Sequence, residues 1–163
     1  MARINSPITY ILTVLLVTAI VWVYLFIAVA VVPLWHTLSG EGVQAWFQNE
    51  FGRFAILMVP IHMLSIPVTI TAFILNRRGQ PGHVQLLWLA ALIGLLVCQG
   101  FNFILYGGNF NPALSSGTLS PEEALTVLGQ WDFYHTVRTF FVCLSLASLT
   151  AIFLIDQSQL EAT

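Results

Sequence analysis

An all-α integral membrane four-helix bundle, with both termini on the cytoplasmic side, is the fold this sequence predicts, and three observations predict it. Charged residues make up 7% of the 163-residue chain, hydrophobic residues 58%, and the mean hydropathy is +0.86. Soluble domains carry roughly 25% charged residues. Four apolar runs, near residues 8–32, 54–75, 84–106 and 133–155, each reach the length of about 20 residues that a bilayer-crossing helix needs. Finally, Arg3 precedes the first run and Arg77-Arg78 fill the short link between the second and third. Both fall on one side if the N-terminus is cytoplasmic, as positive-inside placement asks. The acidic residues Glu41, Glu50, Glu122 and Glu123 then lie outside.

The chain reads as one transmembrane domain, residues 1–163, with no room for a sizeable soluble domain. Its net charge of −2, the lack of lysine and the lack of any basic patch leave nucleic-acid binding without a foothold. The first span follows Arg3 and contains Ala28-Val29-Ala30, which resembles a signal-peptide cleavage site. Its apolar core far exceeds the roughly 7–15 residues of a signal sequence, so it is expected to be a retained helix. An outer loop, 33–53, follows, with Gly40-Glu41-Gly42 and an expected short interfacial helix through Trp46. The second span carries Pro60 and Pro67, which can kink it and free carbonyls one turn back. A plain turn with Gly79, Pro81 and Gly82 leads to the third span. The second outer loop, 107–132, holds Asn109-Phe110-Asn111-Pro112 and then Ser120-Pro121-Glu122-Glu123, a strong helix start with Ser as N-cap and Pro at the first position. That helix either continues through Gly129 into the fourth span or bends there. Trp46/Arg53 and Trp131/Arg138, each seven residues apart before an inward helix, echo one another as a duplicated hairpin would.

Polar side chains gather in the outer half of the bundle. Gln99, Asn102 and Tyr106 lie at i, i+3 and i+7, one stripe of the third helix, and in hydrocarbon such groups need partners on neighbouring helices. His62 sits between the two prolines, about eight residues into its span and so roughly 12 Å deep; a structural role and a ligand role are both open to it. Trp131, His135 and Arg138 fall at i, i+4 and i+7 on one helix face. An arginine followed by membrane-grade sequence is costly unless placed for a reason, although an interfacial anchor would also suit it. In the functional reading these residues form a cationic site: Asp132 orients or charges His135, the imidazole takes a proton, and Arg138 holds a phenolate, enolate or carboxylate. His36 could join from the first outer loop. Cys98 and Cys143 sit in apolar runs, without metal-type spacing, and read as packing residues; no metal site is expected.

The arrangement resembles the anthrone-oxygenase-like family of small four-helix membrane proteins, most of whose members have no known function. The likeness rests on the apolar run from Phe26 that closes on Pro33-Leu34, on Asn109-Phe110-Asn111-Pro112 followed by Pro121-Glu122-Glu123-Ala124, and on Trp131…His135-Thr136-Val137-Arg138-Thr139. The last of these is similar to the family's Trp-x-x-x-(Asn or His)-x-x-Arg signature. The resemblance implies oxidation of polyketide anthrones to anthraquinones with no recognisable metal or flavin site. It carries over Trp131, His135 and Arg138, and with them Asn109 and Asn111. His135 stands where the family usually has Asn, which leaves room for altered chemistry.

The expected function is therefore a multi-pass protein of a bacterial-type inner membrane with an outer-facing pocket for a small apolar or phenolic molecule, and no cofactor. Acting as an enzyme, it would oxygenate an acidic phenolic carbon acid, with His135 as base and Arg138 on the enolate. Two rivals remain. One is a haem-binding electron carrier using His62 and a second His, which needs both at one depth; residue count puts His135 at the start of its span, roughly 12 Å shallower than His62. The other is a non-enzymatic subunit of a membrane complex.

Overall fold

The computed structural model describes residues 4–107 and 110–161. They form helices α1 (Pro7–Phe26), α2 (Val32–Trp35), α3 (Gly40–Asn76), α4 (Gly82–Gly107), α5 (Phe110–Ser116) and α6 (Pro121–Glu161). Among the described residues there is no strand. Four helical rods are long and apolar enough to cross a membrane. Ile8, Trp22, Ile56, Phe103, Phe140 and Leu154 point outward, an apolar coat that suits lipid and not water.

Local chemistry sets each rod. Pro7 opens α1 at its first position, where a missing N–H costs nothing. Tyr10, Thr13, Val17, Ile20, Val21 and Tyr24 are its buried stripe. A π-helical turn at Ile27–Val31 joins α1 to α2, just ahead of Pro33, whose ring cannot complete the i→i−4 ladder. Ser39 caps α3 by accepting a bond from the Gly42 N–H at 3.2 Å. The predicted capping box opens α6: Glu123 N–H donates to Ser120 Oγ at 3.2 Å and Ser120 N–H donates to Glu123 Oε2 at 2.8 Å.

The two outer segments differ from the loops expected of them. The interfacial helix through Trp46 is the first third of α3, which runs unbroken for 37 residues. It continues because Val43, Gln44 and Phe47 bury one face and nothing between Gly40 and Arg53 interrupts the ladder. Likewise α6 passes straight through Gly129 for 41 residues. At 1.5 Å per residue both are about twice the roughly 30 Å of a hydrocarbon core, so each projects well beyond it. Their N-termini touch: a Cβ on Gly40 would lie 2.1 Å from the Pro121 carbonyl oxygen.

The core is correspondingly in two parts. The larger cluster, with Val17, Ile20, Trp88, Leu95, Leu149 and Ile152, fills the spanning bundle. The second, with Trp35, Val43, Phe47, Leu105, Leu114, Leu128 and Trp131, fills a cap made by α2, α5 and the first turns of α3 and α6. Trp46 and Trp131 both pack on Trp35, with ring centroids 4.8 and 5.0 Å away. At the opposite end Ile4 N–H donates to Asp156 Oδ1 (2.9 Å), Ser6 N–H to Asn76 Oδ1 (2.8 Å) and Asn5 Nδ2 to the Arg78 carbonyl (3.1 Å). The chain start, the Arg77-Arg78 turn and the end of α6 therefore share one end of the molecule.

Helices α4 and α6 are tightly packed at Gly94, where an added Cβ would stand 2.3 Å from Ser145 Oγ and 2.7 Å from the Phe141 carbonyl oxygen. Ser145 Oγ in turn donates to the Ala91 carbonyl at 2.9 Å. Gly94→Val is expected to destabilise the bundle by about 1–3 kcal/mol through overpacking. Gly100→Ala, with nothing within 4 Å, should stabilise it by up to about 1 kcal/mol. Denaturant titration in detergent checks both; equal stabilities would show that the Gly94 contact is not tight.

Candidate functional site

A polar layer separates the two apolar clusters. It comprises Tyr24 from α1, His62 from α3, Asn102 from α4, and His135 and Arg138 from α6, all buried. Helical spacing brings Trp131, His135 and Arg138 onto one face as expected. The indole and imidazole stack with centroids 4.9 Å apart, and the guanidinium carbon lies 5.3 Å from the Trp131 ring centroid and 4.4 Å from that of Tyr24.

Arginine only donates, and this fixes the proton positions around it. Arg138 Nε and Nη2 point to His135 Nδ1 at 3.1 and 2.8 Å. Nδ1 must then be the acceptor, and the ring carries its proton on Nε2, which donates to the Tyr24 carbonyl at 3.1 Å. Arg138 Nη1 donates to Asn102 Oδ1, which orients the amide and leaves its NH2 to donate. Tyr24 Oη donates to the same Oδ1 at 2.8 Å. Asn102 Nδ2 reaches His62 Nδ1 at 3.3 Å and Gln99 Oε1 at 3.4 Å. His62 Nε2 then donates to Tyr24 Oη at 2.9 Å. Tyr24, His62 and Asn102 thus close a ring of three hydrogen bonds in a single sense. Cys98 Sγ adds a weak donor to Tyr24 Oη at 3.9 Å.

The layer corrects four sequence expectations. Asp132 neither orients nor charges His135: it turns to the rim and faces His36 Nε2 at 3.5 Å, so His36 also stays outside the site. Among the described residues Arg138 makes no ion pair. His135 is committed at both ring nitrogens, which removes the free lone pair a base needs. The depth argument also fails, because His62 and His135 both pack on Tyr24, with ring centroids 5.5 and 5.3 Å away. Counting from the start of an apolar run misplaced them, since α3 and α6 begin far outside those runs.

Gln99, Asn102 and Tyr106 do share a face with His62. With Val59, Met63 and Phe103 they line a groove of about 180 Å3 between α3 and α4, whose mouth is the exposed Val59, Met63 and Phe103. On the other side of His62 and Tyr106 lies a chamber of about 30 Å3 walled by Trp35, Trp46, Phe54, Trp131, Asn111 and Arg138, among others. Asn111 Oδ1 accepts from Trp131 Nε1 at 2.7 Å. Asn109 lies outside the described residues. Among the described residues no three His, Cys, Asp or Glu side chains converge as a metal site.

Sequence reasoning missed Tyr24, the hub of the layer, and Trp35. The available signal was Tyr24 at heptad spacing from Tyr10 and Val17 in an otherwise apolar helix, since a phenol at that depth requires partners. The internal echo is half real: Trp46 and Trp131 are matched around Trp35, but Arg53 is exposed and bonds Glu50 at 2.9 Å, whereas Arg138 is buried. Comparison with protein-family models, with curated proteins and with solved structures gave no match for this chain.

Arg138→Leu strands His135 Nδ1 and leaves Asn102 Oδ1 with Tyr24 alone, and is expected to cost about 2–5 kcal/mol. Arg53→Leu, which breaks an exposed pair, should cost no more than about 0.5 kcal/mol. Thermal melts of the two variants in detergent provide the comparison, and similar losses would reduce Arg138 to an interfacial anchor.

Proposed function

We propose that this protein binds a small phenolic or enolic aromatic molecule from the membrane and oxidises it with dioxygen, as an anthrone-type oxygenase with no cofactor of its own. The observation that carries this reading is Arg138, a buried guanidinium with no ion-pair partner among the described residues, bonded to Asn102, which with His62 lines the lipid-open groove. A charge so placed is uncompensated in a low-dielectric site and stabilises whatever anion forms next to it.

The roles follow from the hydrogen bonds. The proton acceptor passes from His135 to His62, which lines the groove and whose Nδ1 gives up only the long 3.3 Å bond from Asn102 in order to take a proton. His62 takes a proton from the acidic C–H, and the enolate oxygen lies towards Arg138. The transfer leaves the net charge of the buried site unchanged, since one anion and one imidazolium arise together. The carbanion carbon adds dioxygen, the peroxide anion takes the proton back from His62, and the resulting hydroperoxide loses water to give the ketone, so one O2 enters and one H2O leaves for each CH2 converted to C=O. His135 holds Arg138 in place through its neutral Nδ1.

We also place the Arg77-Arg78 end in the cytoplasm, on the positive-inside argument, in a bacterial-type inner membrane. The clustering of Ile4, Asn76 and Asp156 at that end supports putting both termini there. The cap and polar layer then face the outer leaflet. Cysteines at Glu41 and Ser116 are expected to react with an impermeant maleimide on intact cells, above the background of the native Cys98 and Cys143, while one at His83 is not. Labelling at His83 alone would invert the topology.

Purified protein should bind an anthrone and consume one O2 per molecule oxidised. His62→Gln is expected to lower turnover by about 10²–10⁴-fold, the usual worth of a positioned general base, with binding little changed. His135→Asn, the residue its family resemblance usually has there, should retain most activity. A haem carrier would instead show a stoichiometric Soret band from haem-replete cells, lost in His62→Ala; that result would overturn the oxygenase reading.

A further inference from the structure

We infer that the chamber behind Trp131 is a binding site for a small monovalent anion of halide type. The argument is a count of donors and acceptors. Three hydrogen-bonding groups on its walls are unsatisfied or only partly used. Trp35 Nε1 and Asn111 Nδ2 are buried and find no acceptor among the described residues; their residues are 2% and 3% exposed. Arg138 spends three of its five N–H donors on His135 and Asn102, which leaves two. All three residues line the same chamber and surround one side chain, Trp131: Trp35 packs on it at 5.0 Å, Arg138 lies 5.3 Å from its centroid, and Asn111 accepts its N–H at 2.7 Å.

Buried donors without acceptors each cost about 1–3 kcal/mol and call for an occupant that only accepts. Water would satisfy donors but not the guanidinium charge, and Asp132, the nearest carboxylate in sequence, is turned to His36. A monatomic anion satisfies both. The chamber volume of about 30 Å3 holds one or two water-sized groups, so a halide fits and a polyatomic organic anion does not. The inference does not rest on the oxygenase reading, but the two share Arg138, so a halide bound in the chamber competes for its charge with an enolate formed in the groove.

The test is thermal unfolding of the detergent-solubilised protein in sodium chloride or bromide against sodium gluconate, at matched ionic strength. Chloride and bromide should raise the melting temperature saturably, by about 3 °C once the halide is tenfold over its Kd, and gluconate should not. Trp35→Phe keeps an aromatic ring and drops the N–H; Asn111→Leu drops the amide. Each should weaken halide binding about tenfold or more, the worth of a hydrogen bond to a charged group. Both should melt below wild type in gluconate, Trp35→Phe through lost packing and Asn111→Leu because it strands the Trp131 N–H, so the readout is the halide shift within each variant. Iodide quenching of tryptophan fluorescence gives a second readout: a saturable component in the wild type that Trp35→Phe removes. Two results would overturn the inference. One is indistinguishable melting in halide and gluconate. The other is anthrone binding lost in both variants with no halide effect, which would reassign the donors to the oxygen of that ligand. Halide binding with no affinity for any anthrone would sustain the site and count only against the oxygenase reading.

Discussion

The hydrogen bonds of Arg138 are the constraint on which the rest of the polar layer depends. A guanidinium cannot accept, so every neighbour has to present a lone pair to it. From that one condition follow the neutral tautomer of His135, the orientation of the Asn102 amide and the sense of the ring through Tyr24 and His62. No other residue in the layer could do this, because each of them can both donate and accept. The layer joins α1, α3, α4 and α6 at one level, where the two apolar clusters meet: Arg138 on α6 engages Asn102 of α4 and the ring of Tyr24 of α1, and these two hold His62 of α3.

That position also explains how a cation persists there. The bundle below and the cap above are both apolar, and the layer between them is held by aromatic rings as well as hydrogen bonds, with the guanidinium carbon 4.4 Å from the Tyr24 centroid and 5.3 Å from that of Trp131. Cation–π contact adds roughly 2 kcal/mol when desolvated, which offsets part of the burial cost but supplies no negative charge. The site is therefore electrostatically incomplete with protein groups alone among the described residues, and that incompleteness is what makes it a candidate for binding.

The spans, the capping box at Ser120 and the Trp131–His135–Arg138 face were legible in the sequence because each is a local pattern with a helical or capping period. Gln99, Asn102 and Tyr106 were legible for the same reason. What could not be read was whatever depends on where helices begin in space. Residue counting put His62 and His135 at different depths because α3 and α6 start outside the membrane, and hydropathy marks the apolar run and not the helix. Asp132 was assigned to His135 by spacing alone, although at i+3 a side chain can equally turn to the rim, where His36 draws it. Tyr24 was passed over because its heptad spacing from Tyr10 and Val17 marks a buried face but not what lies against it, and only the fold gives it its three partners.

The mouth of the α3–α4 groove, formed by Val59, Met63 and Phe103 on the outward surface, has a consequence for how affinity is to be understood. A molecule reaching His62 and Asn102 by that route leaves lipid and not water, so its effective concentration is set by partitioning into the bilayer. Much of the apolar free energy that usually drives a ligand into a protein is already spent on entering the membrane, and the protein adds only what lipid lacks: hydrogen bonds and charge. Selectivity at such a site rests on polar atoms of the ligand far more than on its size, and an affinity expressed per litre of buffer will vary with the amount of lipid or detergent present.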